Sequence, residues 1–279
     1  MKGLINWEAL QKYRKMPFAN MDEAAQEKQW GSVAGMYDGM AKLEKEFTKK
    51  QVGQMLLSAE DSVIDIGCGP GRLSVPVAQK VKSVTALDVS EEMLAKCMEN
   101  ARSEGVHNIT PMRSNWLAKD AVENVGKYDI AIASRSVGFS DLVKINQIAR
   151  KYVYILGWAN APSLREIQLD FLEGIGQEKM PHDPAARMFG YNMMFNMVYD
   201  MGANPNIVVV DDGFERDYVS REQAYADLRF VGEILPEFEE QYRSNVDRYL
   251  IPKQDGGFKL LRKTKTFVLW WRPDEVIGY

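Results

Sequence analysis

Cysteine and histidine are scarce. The 279 residues hold two cysteines, Cys68 and Cys97, and two histidines, His107 and His182. Two widely spaced cysteines build neither a disulfide framework nor a zinc site, so no metal is expected. An excess of positive charge is also lacking. Lys and Arg number 35 against 39 Asp and Glu, for a net charge of −4 and a pI near 5.5. Such a chain has no general attraction for nucleic acid or for anionic membranes. No run approaches the roughly 20 apolar residues of a membrane span. The opening "MKGLINWEAL" has no apolar stretch of signal-peptide length. The expectation is a cytoplasmic protein with no membrane partner. No internal repeat and no low-complexity segment is present.

The length sits near the upper limit for one hydrophobic core, so a single domain over residues 1–279 is expected, with appendages. Residues 1–55 read as an N-terminal helical cap, with Trp30, Val33, Ala34 and Tyr37 at helical spacing. From Ser62 the pattern alternates. "SVIDIG", "SVTALDVS", "NITPMRS", "YDIAIASRS" and "KYVYILGW" read as strands, separated by helical segments. The clearest of these helices is "SEEMLAKCMENARSEG", with Ser90 as N-cap and Gly105 as its stop. Strands alternating with helices imply parallel pairing by right-handed crossovers. Residues 56–160 thus form a core, 161–205 a helical insertion, and 206–279 the last strands and helices. In that last part Ser220 and Gln223 are placed for a capping box. The fold class is α/β, a Rossmann-like sheet of seven mostly parallel strands flanked by helices, with the insertion between strands five and six.

The stretch "VIDIGCGPGR" at residues 63–72 puts Gly67, Gly69 and Gly71 straight after a strand. A glycine turn there lets a ligand approach backbone N–H groups at a helix start. The spacing is G-x-G-x-G. A dinucleotide fingerprint needs a third glycine at position 72, which is Arg72, and no Gly-Lys-Ser/Thr ending of a phosphate loop follows.

Asp65-Ile66-Gly67-Cys68-Gly69-Pro70-Gly71 resembles the first motif of class I S-adenosylmethionine-dependent methyltransferases of the small-molecule type. The resemblance extends over about residues 30–160. It implies S-adenosyl-L-methionine as methyl donor, S-adenosyl-L-homocysteine as product, and no metal. It brings the first glycines close to the methionyl part of the donor, counts Asp65, Gly67, Cys68, Gly69 and Gly71 among the cofactor-binding residues, and puts the ribose hydroxyls on Asp88, the acid that ends strand two. Val89 and Met93 then line the adenine or ribose pocket. Asn115 stands where the family often has an Asp for the adenine amino group, and Trp116 either stacks on the adenine or belongs to the core. Trp30 and Tyr37 resemble an aromatic and a Tyr-Asp pair that close over the cofactor. Ser134 ends strand four beside the methyl donor.

The implied reaction is methyl transfer to a small or medium-sized acceptor. Three other readings stay open: an enzyme acting on protein or RNA, a non-catalytic regulatory binder of the same cofactor, and a nicotinamide enzyme. A homodimer is also left open. Catalytic candidates are Arg135, His182 and Tyr191, each with a plainer structural reading. Residues 161–203 carry Phe189, Tyr191, Met193, Met194, Phe195 and Met197, too apolar for a solvated loop. They are expected to form a helical lid with Tyr191 or Met194 facing the donor and Arg135 or His182 fixing the acceptor's polar end.

Overall fold

The structure, a computed structural model, describes residues 5–6, 21–175 and 190–275. His182 and Phe189 lie outside them. Three helices come first: α1 (Glu23–Ser32), α2 (Ala34–Leu43) and α3 (Lys45–Val52). Asp22 caps α1 by accepting from the Ala25 N–H at 2.8 Å. The core follows as β1 (Ser62–Ile66), α4 (Ser74–Ala78), β2 (Ser83–Asp88), α5 (Glu91–Ser103), β3 (Ile109–Arg113), α6 (Ala121–Val125), β4 (Tyr128–Ser134), α7 (Leu142–Ile148) and β5 (Ala149–Trp158). Then come α8 (Leu164–Asp170), α9 (Tyr191–Asp200), β6 (Asn206–Tyr218), α10 (Arg221–Asp227), α11 (Glu239–Asp247), β7 (Leu250–Pro252) and β8 (Phe258–Trp271).

The strands form one eight-stranded sheet in the order β3-β2-β1-β4-β5-β8-β6, with β7 paired to β8. Strands β1 to β5 pair in parallel. β8 runs antiparallel to both of its long neighbours. The expected seven strands are therefore joined by an eighth, the three-residue β7, which folds back on β8. The strand order reverses beside β1, between β2 and β4, and that opens the crevice at the strands' carboxyl ends where such sheets take ligands. β1 is buried on both faces from Val63 to Ile66, as a covered parallel strand must be.

Each face has its own apolar cluster. Ile64, Ile66, Leu142, Ile145 and Trp271 belong to one, and Val63, Val75, Leu94 and Val268 to the other. A third cluster lies where β6 and β8 run on past the main sheet. It joins Met40 and Leu43 of α2 to Leu164 of α8, Tyr225 of α10 and Tyr242 of α11. Where β6 leaves the main sheet, Gly213 lets it approach β8. A Cβ there would stand 2.0 Å from the Arg262 carbonyl oxygen.

The insertion divides in two. α8 joins the cap in the third cluster, through Leu164 and Ile167. α9 does something else. Met193, Met194, Met197 and Val198 are all buried in the first face cluster, so α9 is a crossover helix on the sheet and not a lid. Met194, expected to face the methyl donor, is 1% exposed in that core. Helical spacing of methionines matches both roles, and only the sheet's uncovered face decided between them. Met197→Ala should therefore behave as a core truncation. We expect a loss of about 2–5 kcal/mol in urea unfolding, with affinity for S-adenosylhomocysteine unchanged. A variant of native stability with weakened ligand binding would return α9 to the site.

Candidate functional site

The glycine loop begins at the buried carboxyl end of β1. Gly67 and Cys68 both donate backbone N–H to the Leu87 carbonyl, at 2.8 and 3.0 Å, which ties the loop to β2. Gly71, at φ 85°, sits so close to α5 that a Cβ would come 2.7 Å from the Cys97 sulfur. Gly69 differs. Its φ is 55°, yet the nearest atom to a Cβ there would be the Met93 sulfur at 3.9 Å. Gly69 thus offers open backbone, and Gly71 offers close packing.

Two acids flank the loop. Asp65 accepts from the Ser74 hydroxyl at 2.7 Å. Burial pushes its carboxyl up to about 6, against the pull of that hydrogen bond and of Arg72. Asp88 accepts from the Gly69 N–H at 2.9 Å and the Ser90 N–H at 3.0 Å. Burial raises its pKa as well, offset only by backbone hydrogen bonds. Ser90 in turn caps α5, accepting from the Met93 N–H at 3.3 Å. Cys68 touches the Cys97 thiol. That contact and burial push its pKa well up, which marks a packing thiol and not a nucleophile.

The adenine-side residues divide. Val89 is half-buried and Met93 buried beside Gly69. The Asn115 side-chain oxygen accepts from the Leu117 N–H at 2.9 Å, forming an Asx turn, and keeps one lone pair. Trp116 is 1% exposed in the first face cluster, so its ring offers no open face for stacking. Lys144 stands 5.3 Å above that ring.

The cap covers the carboxyl ends. Trp30 and Tyr37 meet edge to face at 5.9 Å. Burial raises the Tyr37 hydroxyl pKa, with Arg165 and Arg135 acting against it. Below them lies a group of charges that motif spacing did not reveal. Arg135, the one non-glycine residue with positive φ among the described residues, donates to Glu44 at 2.9 Å, to Thr266 at 2.9 Å and to Asp212. Thr266 also donates to Asp212 at 2.6 Å. Arg72 donates to Gln51 at 2.8 Å, to Thr48 at 3.2 Å and to Ser134, and stands 3.5 Å from Glu44. Burial opposes the charge on Arg135, but Glu44 and Asp212 outweigh it and raise the pKa. Burial raises Glu44 against the pull of both arginines.

Arg135 is thus occupied by two carboxylates, and its side chain is 10% exposed. It is not a free anchor for an acceptor. Tyr191 packs edge to face on Phe267 at 5.7 Å, a packing contact beside the carboxyl end of β5. Arg72 shows in the sequence only as a missing glycine. Asp212 had one signal, an acid amid the apolar β6 run "IVVVDDGF".

Residues 63–156 match the family described as "Methyltransferase domain". That stretch is a methyltransferase domain, of the class I S-adenosylmethionine-dependent kind that the glycine loop resembles. It is similar to an uncharacterized protein of Haemophilus influenzae, 28% identical over 238 residues, which cover 82% of this chain and 83% of that one. It is also similar to the 23S rRNA (uracil(1939)-C(5))-methyltransferase RlmD of Aliivibrio salmonicida, 41% identical over 59 residues, 21% of this chain and 14% of RlmD. Against the malonyl-[acyl-carrier protein] O-methyltransferase of Pectobacterium atrosepticum it is 36% identical over 80 residues, 29% of this chain and 32% of that enzyme. The chain therefore spans less than a third of these last two relatives. Among the described residues no helix is long and apolar enough to cross a membrane, and no cluster of acids, histidines and cysteines could hold a metal ion.

The methyl donor fits this loop. Gly69 leaves room, and Asp88 is a buried carboxylate with no cationic partner among the described residues. The raised Asp65 pKa makes stability depend on pH. A carboxyl whose pKa is higher folded than unfolded gives stability below about pH 4 and loses it as pH rises through about 6. Asn cannot ionise. The stability of Asp65→Asn relative to the native chain should therefore climb between about pH 4 and pH 6 and stay level above about pH 7. Urea unfolding across that range reads it, and a flat difference would place the Asp65 carboxyl at its ordinary pKa.

Proposed function

We propose that this methyltransferase acts on a small molecule, with the donor held along the glycine loop and its ribose on Asp88. The observation that carries this reading is the cap. Helices α1 to α3 lie over the carboxyl ends of the strands and are fastened there by the Glu44, Arg72, Arg135 and Asp212 charges. An acceptor must fit beneath the chain's own helices, which suits a compact molecule better than a polynucleotide. The acidic pI supports the same side. The matches to RlmD keep an RNA acceptor as the second reading, and they cover 59 to 84 residues, at most 30% of this chain.

The expected chemistry needs few catalytic groups. S-adenosylmethionine, when bound, supplies a methyl group already activated on a sulfonium. The chain's work is to hold the accepting atom in line and to exclude water. Asp65 and Asp88 bring negative charge to the loop. Glu44 and Asp212 cancel the two arginines, which would otherwise repel a cationic donor. In this reading Tyr37, on the cap, closes over the donor.

Calorimetry should show S-adenosylhomocysteine binding in the micromolar range, about −8 kcal/mol, with NADH far weaker. Asp88→Ala removes two charge-assisted bonds to the ribose, each worth about 1.5–3 kcal/mol. It should lose at least about tenfold in affinity. It should also lose some thermal stability, because the Gly69 and Ser90 N–H groups lose their acceptor. Native affinity in Asp88→Ala would misplace the ribose. For the acceptor, labelled methyl donor is incubated with a small-molecule extract and, separately, with total RNA. Label entering only the RNA would overturn the small-molecule reading.

A further inference from the structure

Besides Arg72, a second side chain that no motif pointed to links the cap to the glycine loop. Asn100 lies on α5, one turn after Cys97. Its amide nitrogen donates to the Asp38 carboxylate of α2 at 2.7 Å and to the Pro70 carbonyl at 2.9 Å. One acceptor belongs to the glycine loop and the other to the cap, and the shared nitrogen brings the two together. Pro70 is inside the glycine loop, between Gly69 and Gly71. Asp38 follows Tyr37 on the cap and is buried, with Lys42 as its other partner at 2.7 Å. An amide nitrogen carries two hydrogens, so both bonds form at once and both donors are used.

We infer that Asn100 is a positioning residue. It holds the Pro70 carbonyl, and with it the Gly69 backbone, in the shape that receives the methyl donor, and it makes docking of α2 depend on that shape. This rests on the glycine loop being the donor's seat. The loop has positive φ at Gly67, Gly69 and Gly71, so its backbone has many alternatives when unbound. Turn bonds inside the loop and to Leu87 hold its first half. On the far side Arg72 is held by Gln51 and Thr48 of α3. Pro70 lies between these two restraints, and Asn100 supplies its bond. Cofactor binding and cap closure are then coupled, each favouring the other.

A swap separates the loop bond from the cap bond. Asn100→Asp removes both donors and sets a carboxylate against Asp38. Asp38→Asn combined with Asn100→Asp rebuilds the cap bond in reverse, with position 38 donating, but leaves the Pro70 carbonyl without a donor. Lys42, itself half-exposed, loses the buried Asp38 carboxylate in the swap, so Lys42→Gln serves as the reference for melting temperature. The readouts are calorimetric affinity for S-adenosylhomocysteine, melting temperature, and protease protection of the cap. Asn100→Asp should lower affinity at least fivefold and expose the cap to protease. The swap should restore melting temperature and protection while affinity stays at least fivefold low. Asn100→Ala, which adds no charge, serves if Asn100→Asp does not fold, and the same fivefold loss is expected of it. A smaller loss in the single variant, or full recovery of affinity in the swap, overturns the positioning role. The native chain is titrated alongside. If it fails to bind S-adenosylhomocysteine at all, the donor site itself is wrong. If it binds and the variants bind equally, only the role of Asn100 falls.

Discussion

Two arginines buried where parallel strands end must be neutralised in place, and much of this molecule follows from that. Moving a charge out of water costs several kcal/mol even after relaxation, and geometry has to return it. Arg135 follows β4 and Arg72 follows the glycine loop. Their carboxylates come from far away: Glu44 from the junction of α2 and α3, and Asp212 from β6. The cap, the parallel half of the sheet and the last strands thus meet in one set of charges. Removing any one partner would strand the others in a dry site, so the network acts as a single fastening.

The same fastening shapes the crevice. Strand order reverses beside β1, and the loop leaving β1 meets the loop leaving β4. Ser136 fills the space a side chain at Gly67 would need, and its hydroxyl donates to the Ile66 carbonyl. Arg135 holds a left-handed backbone conformation that a non-glycine residue seldom adopts. A backbone bond to the Leu156 carbonyl at 2.9 Å and the ion pairs keep it there. Strained backbone, buried charge and open backbone at Gly69 all gather at the ligand-binding end of the sheet.

Local signals were legible in the sequence, and distant partnerships were not. The five parallel strands show as β-branched runs, and the glycine loop and Asp88 show by spacing. Ser90 and Ser220 show as N-caps because capping is decided within four residues, although Gln223 returns its bond to the Val219 N–H at 2.9 Å instead of closing the box on Ser220. The methionine stripe of α9 is the same on a sheet as over a ligand, so spacing alone points equally to a lid. The pairings of Arg135 with Asp212, and of Asn100 with Asp38, were invisible because each joins elements far apart in the chain. Periodicity reports which face is buried, never against what.

The most direct test is a crystal structure of the protein soaked or grown with S-adenosylhomocysteine. The account predicts the ribose hydroxyls within hydrogen-bond distance of the Asp88 carboxylate and the homocysteine chain running over Gly69, with Arg135 still held by Glu44 and Asp212. A ligand bound away from the glycine loop, or an Arg135 released from its carboxylates to hold that ligand, would contradict it.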